Sequence, residues 1–159
     1  MAADAVALLD HLGISQAHVM GYSMGARISA FLAIANPGRV KSLVFGGLGD
    51  GMVKGVGDWD PIAEALLAPD PSNITDVRGA AFRKFADQTK SDRLALAACI
   101  QTSRDLVDPK DLRRLPMPAL VCCGTKDDIS GDPFKLAELM PDAGGFWIEG
   151  RDHMLAVGD

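Results

Sequence analysis

The sequence has few cysteines, no excess of basic residues and no long apolar run, and each absence excludes a class of protein. Its three cysteines include an adjacent pair, Cys122 and Cys123, in an apolar stretch, which suits neither a disulfide framework nor a spaced metal motif. The net charge is −5 and the sixteen Lys and Arg residues are spread along the chain, so we expect no basic surface for nucleic acid. No apolar run reaches the roughly 20 residues that a membrane-spanning helix needs.

The N-terminal segment also lacks a basic region before its apolar residues, and Asp10 and His11 interrupt its apolar stretch. A secretory signal peptide is therefore not expected. The cysteines have the setting of reduced core thiols. Together these features predict a cytoplasmic protein without a membrane or nucleic-acid partner.

Apolar patterning predicts an α/β domain. The chain has 159 residues, of which 48% are hydrophobic, enough to fill one core. Short apolar runs at 17–21, 40–45, 119–123 and 146–148 are typical of strands, and amphipathic helical patterns lie between them. The run at 40–45 is β-branched and apolar, which predicts a strand buried on both faces of a parallel sheet.

Residues 48–115 differ in pattern from the rest of the chain. They open with closely spaced glycines and continue with helical patterns, without a strand. Asp60 and Asp108, each followed by proline, and Ser91 are the expected N-caps of helices in this region. We therefore predict a parallel four-stranded sheet flanked by helices in a single domain, residues 1–159, with residues 48–115 as a helical cap insertion.

Residues 21–25 read Gly-Tyr-Ser-Met-Gly and fit the G-x-S-x-G pattern of a nucleophile elbow. The pattern also arises by chance, but here a predicted strand enters it and a predicted helix leaves it. Such a turn holds Ser23 beyond the carboxyl end of the sheet and requires small residues on both sides, Gly21 and Gly25. It also brings the backbone amide of Met24 to the start of a helix, where it can donate to an oxyanion.

A serine hydroxyl needs an adjacent base, usually a histidine that a carboxylate orients. Among the three histidines, His11 lies on the expected solvent side of the first helix, and His18 enters the strand before the elbow. His153 follows the last predicted strand, so it should emerge at the same edge of the sheet as Ser23. We therefore predict His153 as the general base.

Two adjacent aspartates, Asp127 and Asp128, follow the third predicted strand and should also lie at the carboxyl edge of the sheet. Either one gives the chain order serine, aspartate, histidine that this chemistry has on this kind of sheet. Asp50, after the second predicted strand, is the fallback position. Each aspartate alone could equally cap a helix or lie in a solvent-exposed turn. Only the joint arrangement with the serine and the histidine favours a catalytic role.

Four segments, in this order along the chain, resemble the α/β-hydrolase-fold esterases. They are the stretch from Gly13 through the elbow to Ala26, the turn at 36–40, the run from Pro118 to Asp127, and the pair Asp152-His153. In that family the aspartate three residues after the glycine is the triad acid, so the resemblance favours Asp127 over Asp128. The serine at the elbow is unlike the haloalkane dehalogenases and epoxide hydrolases, which have aspartate there.

The sequence departs from this family at its two ends. Members usually begin with further strands and a helix, and with a loop, often containing His-Gly, that supplies a second oxyanion donor; no His-Gly dipeptide occurs here. The helix after the catalytic histidine is also short. One face of the sheet and the edge strand at 17–21 would then be uncovered, so the resemblance implies self-association as a homodimer.

These observations predict a serine hydrolase that cleaves a small-molecule carboxylic ester through an acyl-enzyme intermediate, without a metal or organic cofactor. Ser23 is the nucleophile, His153 the base, Asp127 the residue that orients the base, and the Met24 amide the oxyanion donor. Apolar residues of the insertion are expected to line an acyl pocket: Trp59, Leu66, Leu67, Phe82 and Phe85. Thioesterases, carbon–carbon bond hydrolases, acyltransferases and haloperoxidases can use the same triad. The alternative outside catalysis is a catalytically impaired remnant that binds itself or a partner.

Overall fold

The computed structural model describes residues 1–158. The N-terminal elements are α1 (Ala2–His11), β1 (Ala17–Tyr22), α2 (Met24–Ala35), a 3-10 helix (Pro37–Arg39) and β2 (Val40–Gly46). The central elements are α3 (Gly51–Lys54), α4 (Asp60–Leu67), a 3-10 helix (Pro71–Asn73), α5 (Val77–Gln88), α6 (Arg93–Thr102) and α7 (Pro109–Leu112). The C-terminal elements are β3 (Ala119–Gly124), α8 (Pro133–Ala137), β4 (Ala143–Ile148) and a 3-10 helix (Ala156–Gly158). Within residues 1–158, none of these helices is long and apolar enough to cross a membrane.

The four strands form one parallel sheet in the order β1-β2-β3-β4. Parallel neighbours need a crossover connection, and α2 and α8 serve as two of these crossovers and pack on the sheet. The predicted α/β class, with a parallel four-stranded sheet flanked by helices, is confirmed. Because all strands run in one direction, the turns that follow them meet at one edge, the carboxyl edge of the sheet.

The chain divides into two compact units, where the sequence predicts one domain with an insertion. We call residues 1–56 and 106–158 the sheet unit and residues 57–105 the helical unit. The insertion predicted at 48–115 is therefore wider than the helical unit. Its two flanks belong to the sheet unit because their apolar side chains are buried in the core of that unit; these are Leu48, Met52, Val107, Leu112 and Leu115.

One face of the sheet is buried more fully than the other. On that face Leu43 and Phe45 of β2 are at most 1% exposed and pack in the same core as α2 and α8. On the opposite face Met20 is 69% exposed, Leu120 40% and Phe146 55%. On β2 itself Ser42 and Val44 of this face are half-buried, so the expected full burial of the strand on both faces is not met.

The helix starts agree with the predicted caps in part. Asp108 caps α7 by accepting an amide of the first turn at 2.8 Å, as predicted. Helix α6 is capped by Asp92 rather than Ser91, because the Asp92 carboxylate accepts two amides of the first turn. Asp60 is the first residue of α4, and the cap position is taken by Trp59.

Candidate active site

The turn between β1 and α2 carries Ser23 in a strained backbone conformation. Ser23 has φ 53° and ψ −112°, a combination that residues with a side chain rarely adopt. A Cβ at Gly21 would lie 2.1 Å from the carbonyl oxygen of Gly25, so only glycine fits at position 21. A Cβ at Gly25 would meet open space. The predicted steric need for a small residue is therefore correct at position 21, whereas at position 25 there is room for a Cβ.

The side chains of Ser23, His153 and Asp127 form one hydrogen-bonded chain. His153 Nε2 is 3.0 Å from Ser23 Oγ, and His153 Nδ1 is 2.8 Å from Asp127 Oδ2. A carboxylate can only accept, so Nδ1 carries the ring proton and donates it, which leaves Nε2 to accept the Ser23 hydroxyl. The structure thus brings together the three side chains that the sequence selects, at distances across which a proton can pass.

The Asp127 carboxylate is completely buried, and both of its oxygens are hydrogen bonded. Oδ1 accepts the amides of Ile129 and Ser130 at 2.9 Å each. Oδ2 accepts the His153 Nδ1–H and the Ser130 hydroxyl. Burial raises the pKa of this carboxyl, but the hydrogen bonds from His153 and Ser130 outweigh burial and hold the pKa below its ordinary value. Asp127 therefore stays ionised beside His153 at neutral pH.

The other two candidate acids are placed differently. Asp128 is exposed to solvent. Asp50 accepts the amide of Asp132 at 2.8 Å and pairs with Lys54 at 2.7 Å. Burial raises the pKa of Asp50, whereas Lys54 and the Asp132 amide lower it, with a net shift below the ordinary value. Asp50 therefore ties the turn after β2 to the start of α8, and its carboxylate is engaged in that role.

The loop after β4 holds His153 against the neighbouring turn. The carbonyl of Arg151 accepts the Lys126 amide at 2.9 Å, and a Cβ at Gly124 would come within 2.1 Å of that same carbonyl oxygen. The Tyr22 hydroxyl donates to the backbone carbonyl of His153, and the two rings lie 5.4 Å apart. The base is therefore positioned by the turn after β3 and by the residue that precedes the nucleophile.

Two residues at this site, Tyr22 and Ser130, were missed by the sequence reasoning. Burial and the Asp127 charge raise the pKa of the Tyr22 phenol to about 12, so it remains a donor at neutral pH. A Cβ at Gly47 would lie 2.4 Å from the Tyr22 ring, which fixes the ring against the end of β2. Tyr22 occupies the variable position of the elbow pattern, which carries no signal. Ser130 carries a weak one, since aspartate side chains often accept amides of the next two or three residues.

The oxyanion donor predicted at Met24 is the first backbone amide of α2. First-turn amides have no partner within their own helix, and the helix dipole is positive at this end. The carbonyl of Ser23 accepts the amides of Ala26 and Arg27 at 3.1 and 3.3 Å, which starts the helix directly after the nucleophile. The Met24 amide thus lies at the positive end of a helix and next to the Ser23 hydroxyl in the chain.

The three cysteines, Cys99, Cys122 and Cys123, are free thiols. Burial raises the pKa of the Cys122 thiol. Burial and the Asp127 charge raise the pKa of Cys123 to about 12. Both thiols are therefore protonated at neutral pH and do not compete with Ser23 as nucleophiles. Among the residues that the structure describes, no group of three or more His, Cys, Asp or Glu could hold a metal ion.

The residues expected to line an acyl pocket lie in the helical unit. Leu66 is 1% exposed and belongs to the core of that unit, with Trp59 and Phe82 packed against it. Leu67 and Phe85 are about half exposed. Three of the five side chains therefore stabilise the helical unit itself, and their part in an acyl pocket stays a prediction.

A family model described as alpha/beta hydrolase fold matches residues 1–114. The match includes the elbow and ends before Asp127 and His153, so the acid and the base rest on the geometry above. A curated relative, 2-hydroxy-6-oxononadienedioate/2-hydroxy-6-oxononatrienedioate hydrolase 2 of Pseudomonas putida, is 50% identical over 44 residues. The match spans 28% of this chain and only 15% of that relative.

Solved structures share the fold over nearly the whole chain. A marine microorganism esterase aligns with a TM-score of 0.72 and 21% identity, over 97% of this chain and 69% of its own. A carboxylesterase of the thaumarchaeon Nitrososphaera gargenis aligns with a TM-score of 0.69 and 21% identity, over 98% and 64%. A meta-cleavage product hydrolase from Pseudomonas fluorescens IP01 aligns with a TM-score of 0.58 and 18% identity, over 94% and 62%. At these identities the likeness establishes the fold and leaves the substrate open.

Proposed function

The chain belongs to the α/β-hydrolase fold family, and from this premise we propose that it is a serine hydrolase that cleaves carboxylic esters. The observation that carries the proposal is the hydrogen-bonded chain from Ser23 Oγ through both ring nitrogens of His153 to the buried Asp127 carboxylate. The strained backbone at Ser23 supports it, because such strain persists mainly where the surrounding structure enforces it for function.

In the proposed acylation step, Ser23 Oγ forms a bond to the carbonyl carbon of the ester while His153 Nε2 takes the hydroxyl proton. The carbonyl oxygen becomes an oxyanion, which the Met24 amide at the start of α2 stabilises. Asp127 stabilises the imidazolium through its Nδ1–H. The tetrahedral intermediate then breaks its bond to the leaving oxygen, and the alcohol departs with the proton from Nε2.

In the deacylation step, His153 Nε2 takes a proton from a water molecule as the water oxygen bonds to the acyl carbon. The second oxyanion is stabilised by the same Met24 amide. Its collapse breaks the bond to Ser23 Oγ, which regains its proton from Nε2, and the carboxylic acid leaves. Every proton is carried by Ser23, His153, water or the products, so the proposal includes no metal or organic cofactor.

A second candidate within the same triad chemistry is hydrolysis of a carbon–carbon bond. It is supported by the segment that is 50% identical to a 2-hydroxy-6-oxononadienedioate hydrolase. Parallel assays with that compound and with a short-chain nitrophenyl ester separate the two. Faster turnover of the ester supports the esterase, and faster turnover of the dienedioate makes carbon–carbon hydrolysis the main activity.

The proposal is tested by incubating the protein with a fluorophosphonate probe and with a nitrophenyl ester, beside the variant Ser23→Ala. We expect covalent labelling and turnover in the wild type and neither in the variant. The matched control is Ser15→Ala, which removes the hydroxyl of an exposed serine of the sheet unit and should behave as the wild type. Equal labelling of wild type and Ser23→Ala would contradict the proposal and favour a binding module.

We propose separately that the chain self-associates as a homodimer through the open face of its sheet. Across the strand register this face carries no Asp, Glu, Lys or Arg; its residues are His18, Met20, Tyr22, Ser42, Val44, Gly46, Leu120, Cys122, Gly124, Gly144, Phe146 and Ile148. Two copies of an uncharged face can meet without the repulsion that the net charge of −5 causes elsewhere. Light scattering should find the wild type as a dimer at micromolar concentration and Met20→Lys as a monomer. The control Leu155→Lys changes an exposed residue outside the sheet and should remain a dimer. A monomeric wild type would contradict the proposal.

We also propose the cytoplasm as the location of the protein. Its three cysteines are free thiols, as is usual in a reducing compartment. Fractionation of cells that produce a tagged chain should recover it with cytoplasmic markers. Recovery with secreted proteins would contradict this location.

A further inference from the structure

Ser130 has no part in the reaction described above, although its side chain is completely buried at the site. Its hydroxyl makes a short hydrogen bond with Asp127 Oδ2 and lies 3.2 Å from His153 Nδ1. This one hydroxyl therefore contacts both the acid and the base. A buried hydroxyl that contacts two reacting groups requires an explanation of where its proton goes.

The available protons determine the direction of each contact. An ionised carboxylate only accepts, so the Ser130 hydroxyl donates its single proton to Asp127 Oδ2. Towards the histidine the Ser130 oxygen can then only accept, and the ring proton that faces it is the one on His153 Nδ1; the Cys123 thiol is also hydrogen bonded to this side chain. The Nδ1–H accordingly faces two acceptors, Asp127 Oδ2 at 2.8 Å and Ser130 Oγ at 3.2 Å. The three groups close a triangle of hydrogen bonds around a single ring proton.

The backbone of Ser130 is fixed on both sides of its side chain. Its N–H donates to Asp127 Oδ1 at 2.9 Å, and its carbonyl accepts the amides of Gly49 at 2.8 Å and Gly51 at 3.3 Å. A Cβ at Gly51 would lie 2.9 Å from this carbonyl oxygen, so the turn after β2 lies directly against the turn after β3. The Ser130 side chain therefore starts from a fixed backbone beside the carboxylate.

We propose that Ser130 is a positioning residue of the triad, whose hydroxyl keeps Asp127 Oδ2 directed at the Nδ1–H of His153. This inference rests on the proposed function. When Nε2 takes the Ser23 proton, the imidazolium is stabilised only while its Nδ1–H stays aligned with Oδ2. The terminal torsion of an aspartate is broad. The Ile129 and Ser130 amides hold Oδ1, and the Ser130 hydroxyl is the donor, besides His153 itself, that holds Oδ2. Loss of this donor should lower kcat by about ten- to a hundredfold, the range that one hydrogen bond to a charged group supplies.

The first test compares Ser130→Ala, Ser130→Thr and the wild type in ester hydrolysis. We expect kcat to fall about ten- to a hundredfold in Ser130→Ala with KM unchanged, and Ser130→Thr, which keeps the hydroxyl, to recover most of the rate. The matched control is Ser29→Ala, because Ser29 is also buried and its hydroxyl donates to the carbonyl of Gly25 rather than to the triad. Its kcat should stay within about twofold of wild type. Thermal unfolding of each variant shows that the fold is kept.

The second test detects the hydrogen bond of the His153 Nδ1–H directly. The Nδ1–H of His153 should give a far-downfield proton resonance in NMR, which we expect to shift and to exchange faster with water in Ser130→Ala and to stay in place in Ser29→Ala. An unchanged resonance, or a kcat in Ser130→Ala equal to that of Ser29→Ala, would overturn the inference. This readout does not require turnover, so failure of the proposed function, seen as a wild type that the fluorophosphonate does not label, is distinguishable from failure of the role of Ser130.

Discussion

The sheet unit and the helical unit differ in the hydrogen bonding of their buried polar side chains. In the sheet unit, the two oxygens of the buried Asp127 carboxylate accept four hydrogen bonds. In the helical unit, four buried nitrogens make no hydrogen bond within the described residues: Trp59 Nε1, Arg78 Nε and Nη2, and Arg104 Nη2. Arg104 Nη2 lies 3.6 Å from an Asp60 carboxylate oxygen, and Arg104 Nε donates to the Ile100 carbonyl. Both guanidinium groups lie against the Trp59 ring, 5.4 and 5.9 Å from its centre, which offsets part of their desolvation. The buried nitrogens that lack a hydrogen bond among the described residues therefore belong to the helical unit, which also contains a fully bonded buried guanidinium, that of Arg83.

The core of the sheet unit buries larger side chains than the core of the helical unit does. The sheet unit buries large side chains such as Phe45, Leu43 and Leu136. The fully buried core of the helical unit is small and alanine-rich; it consists of Ile62, Ala63, Leu66, Ala86 and Ala97. A unit with less buried apolar surface opens at a lower free-energy cost. The helical unit is thus the part of the molecule that we expect to adapt, while the sheet unit stays rigid.

The largest expected effect follows from Asp127→Asn. The amide would accept poorly and would favour the wrong tautomer of His153, so kcat for ester hydrolysis should fall by about 10⁴-fold while KM changes little. The matched change in the helical unit is Asp76→Asn, because Asp76 caps α5 and asparagine caps a helix equally well. That variant should keep the wild-type kcat. A fall of less than tenfold in Asp127→Asn would break the contrast between the two units.

The triad could be predicted from sequence because each of its members follows a strand, and parallel strands bring their carboxyl ends to one edge. The choice of Asp127 over Asp128 needed the family resemblance, since the two neighbours have the same position relative to β3. Neither patterning nor resemblance revealed Tyr22 and Ser130. Their contacts with His153 depend on how the elbow and the loops after β3 and β4 lie against each other, and local sequence does not encode that.

Strand boundaries show a second limit of sequence patterning. Strand β4 begins at Ala143, three residues before the predicted run at 146–148, because Gly144 and Gly145 carry no apolar signal. Gly145 is needed for packing instead, since a Cβ there would come within 2.8 Å of Phe134 in α8. The requirement comes from tertiary approach of a helix to a strand, which a propensity scale cannot contain.

Helix α5 contains one buried arginine with hydrogen-bond partners, Arg83, and one with unpaired buried nitrogens, Arg78. The Arg83 guanidinium is buried and donates to the carbonyls of Ala65 and Ala68 and to Asp87, so it satisfies the end of α4. Arg83→Met should lower the free energy of unfolding by about 3 kcal/mol, because it leaves those acceptors without a donor. Arg78→Met removes donors that have no partner, and the gain should exceed the lost contact with Trp59, for a net stabilisation of about 1 kcal/mol.

Urea unfolding of Arg83→Met and Arg78→Met measures the two predicted changes in the free energy of unfolding. The wild type and each variant should unfold with the same slope, so that the midpoint alone reports the change. Equal losses in the two variants would show that the unpaired nitrogens of Arg78 cost nothing, and the polar contrast between the units would then fail.

Within residues 1–158, each unit contains one residue other than glycine with positive φ, and substituting these two residues should have a smaller effect. Ser23 has φ 53° and Lys90, just after α5, has φ 54°. Glycine relieves the strain at either position, so Lys90→Gly and Ser23→Gly should each stabilise the protein by about 1 kcal/mol. Lys90→Gly should keep ester hydrolysis and Ser23→Gly should abolish it. Thermal unfolding together with the nitrophenyl ester assay checks both, and unchanged melting temperatures would show that neither backbone is strained.

The smallest expected effect concerns pH and the Tyr22 hydroxyl. Its pKa is raised to about 12, so the phenol stays protonated in the folded protein while the unfolded chain ionises at the ordinary value of 10.0. The stability that this group contributes is therefore complete below pH 10 and is lost as pH rises towards 12. Tyr22→Phe removes the hydrogen bond to His153, which should cost about 1 kcal/mol at pH 8, and the difference from wild type should shrink above pH 10.

Because Tyr22 is the sole tyrosine of the chain, its ionisation can be followed directly by the absorbance of the phenolate. A midpoint near 10 in the folded protein would mean that the phenol is not held by burial and by the Asp127 charge. The hydroxyl would then be free to leave the His153 carbonyl, and the loop that carries the base would be as adaptable as the helical unit. A midpoint near 12 keeps Tyr22 among the groups that make the sheet unit rigid around its serine.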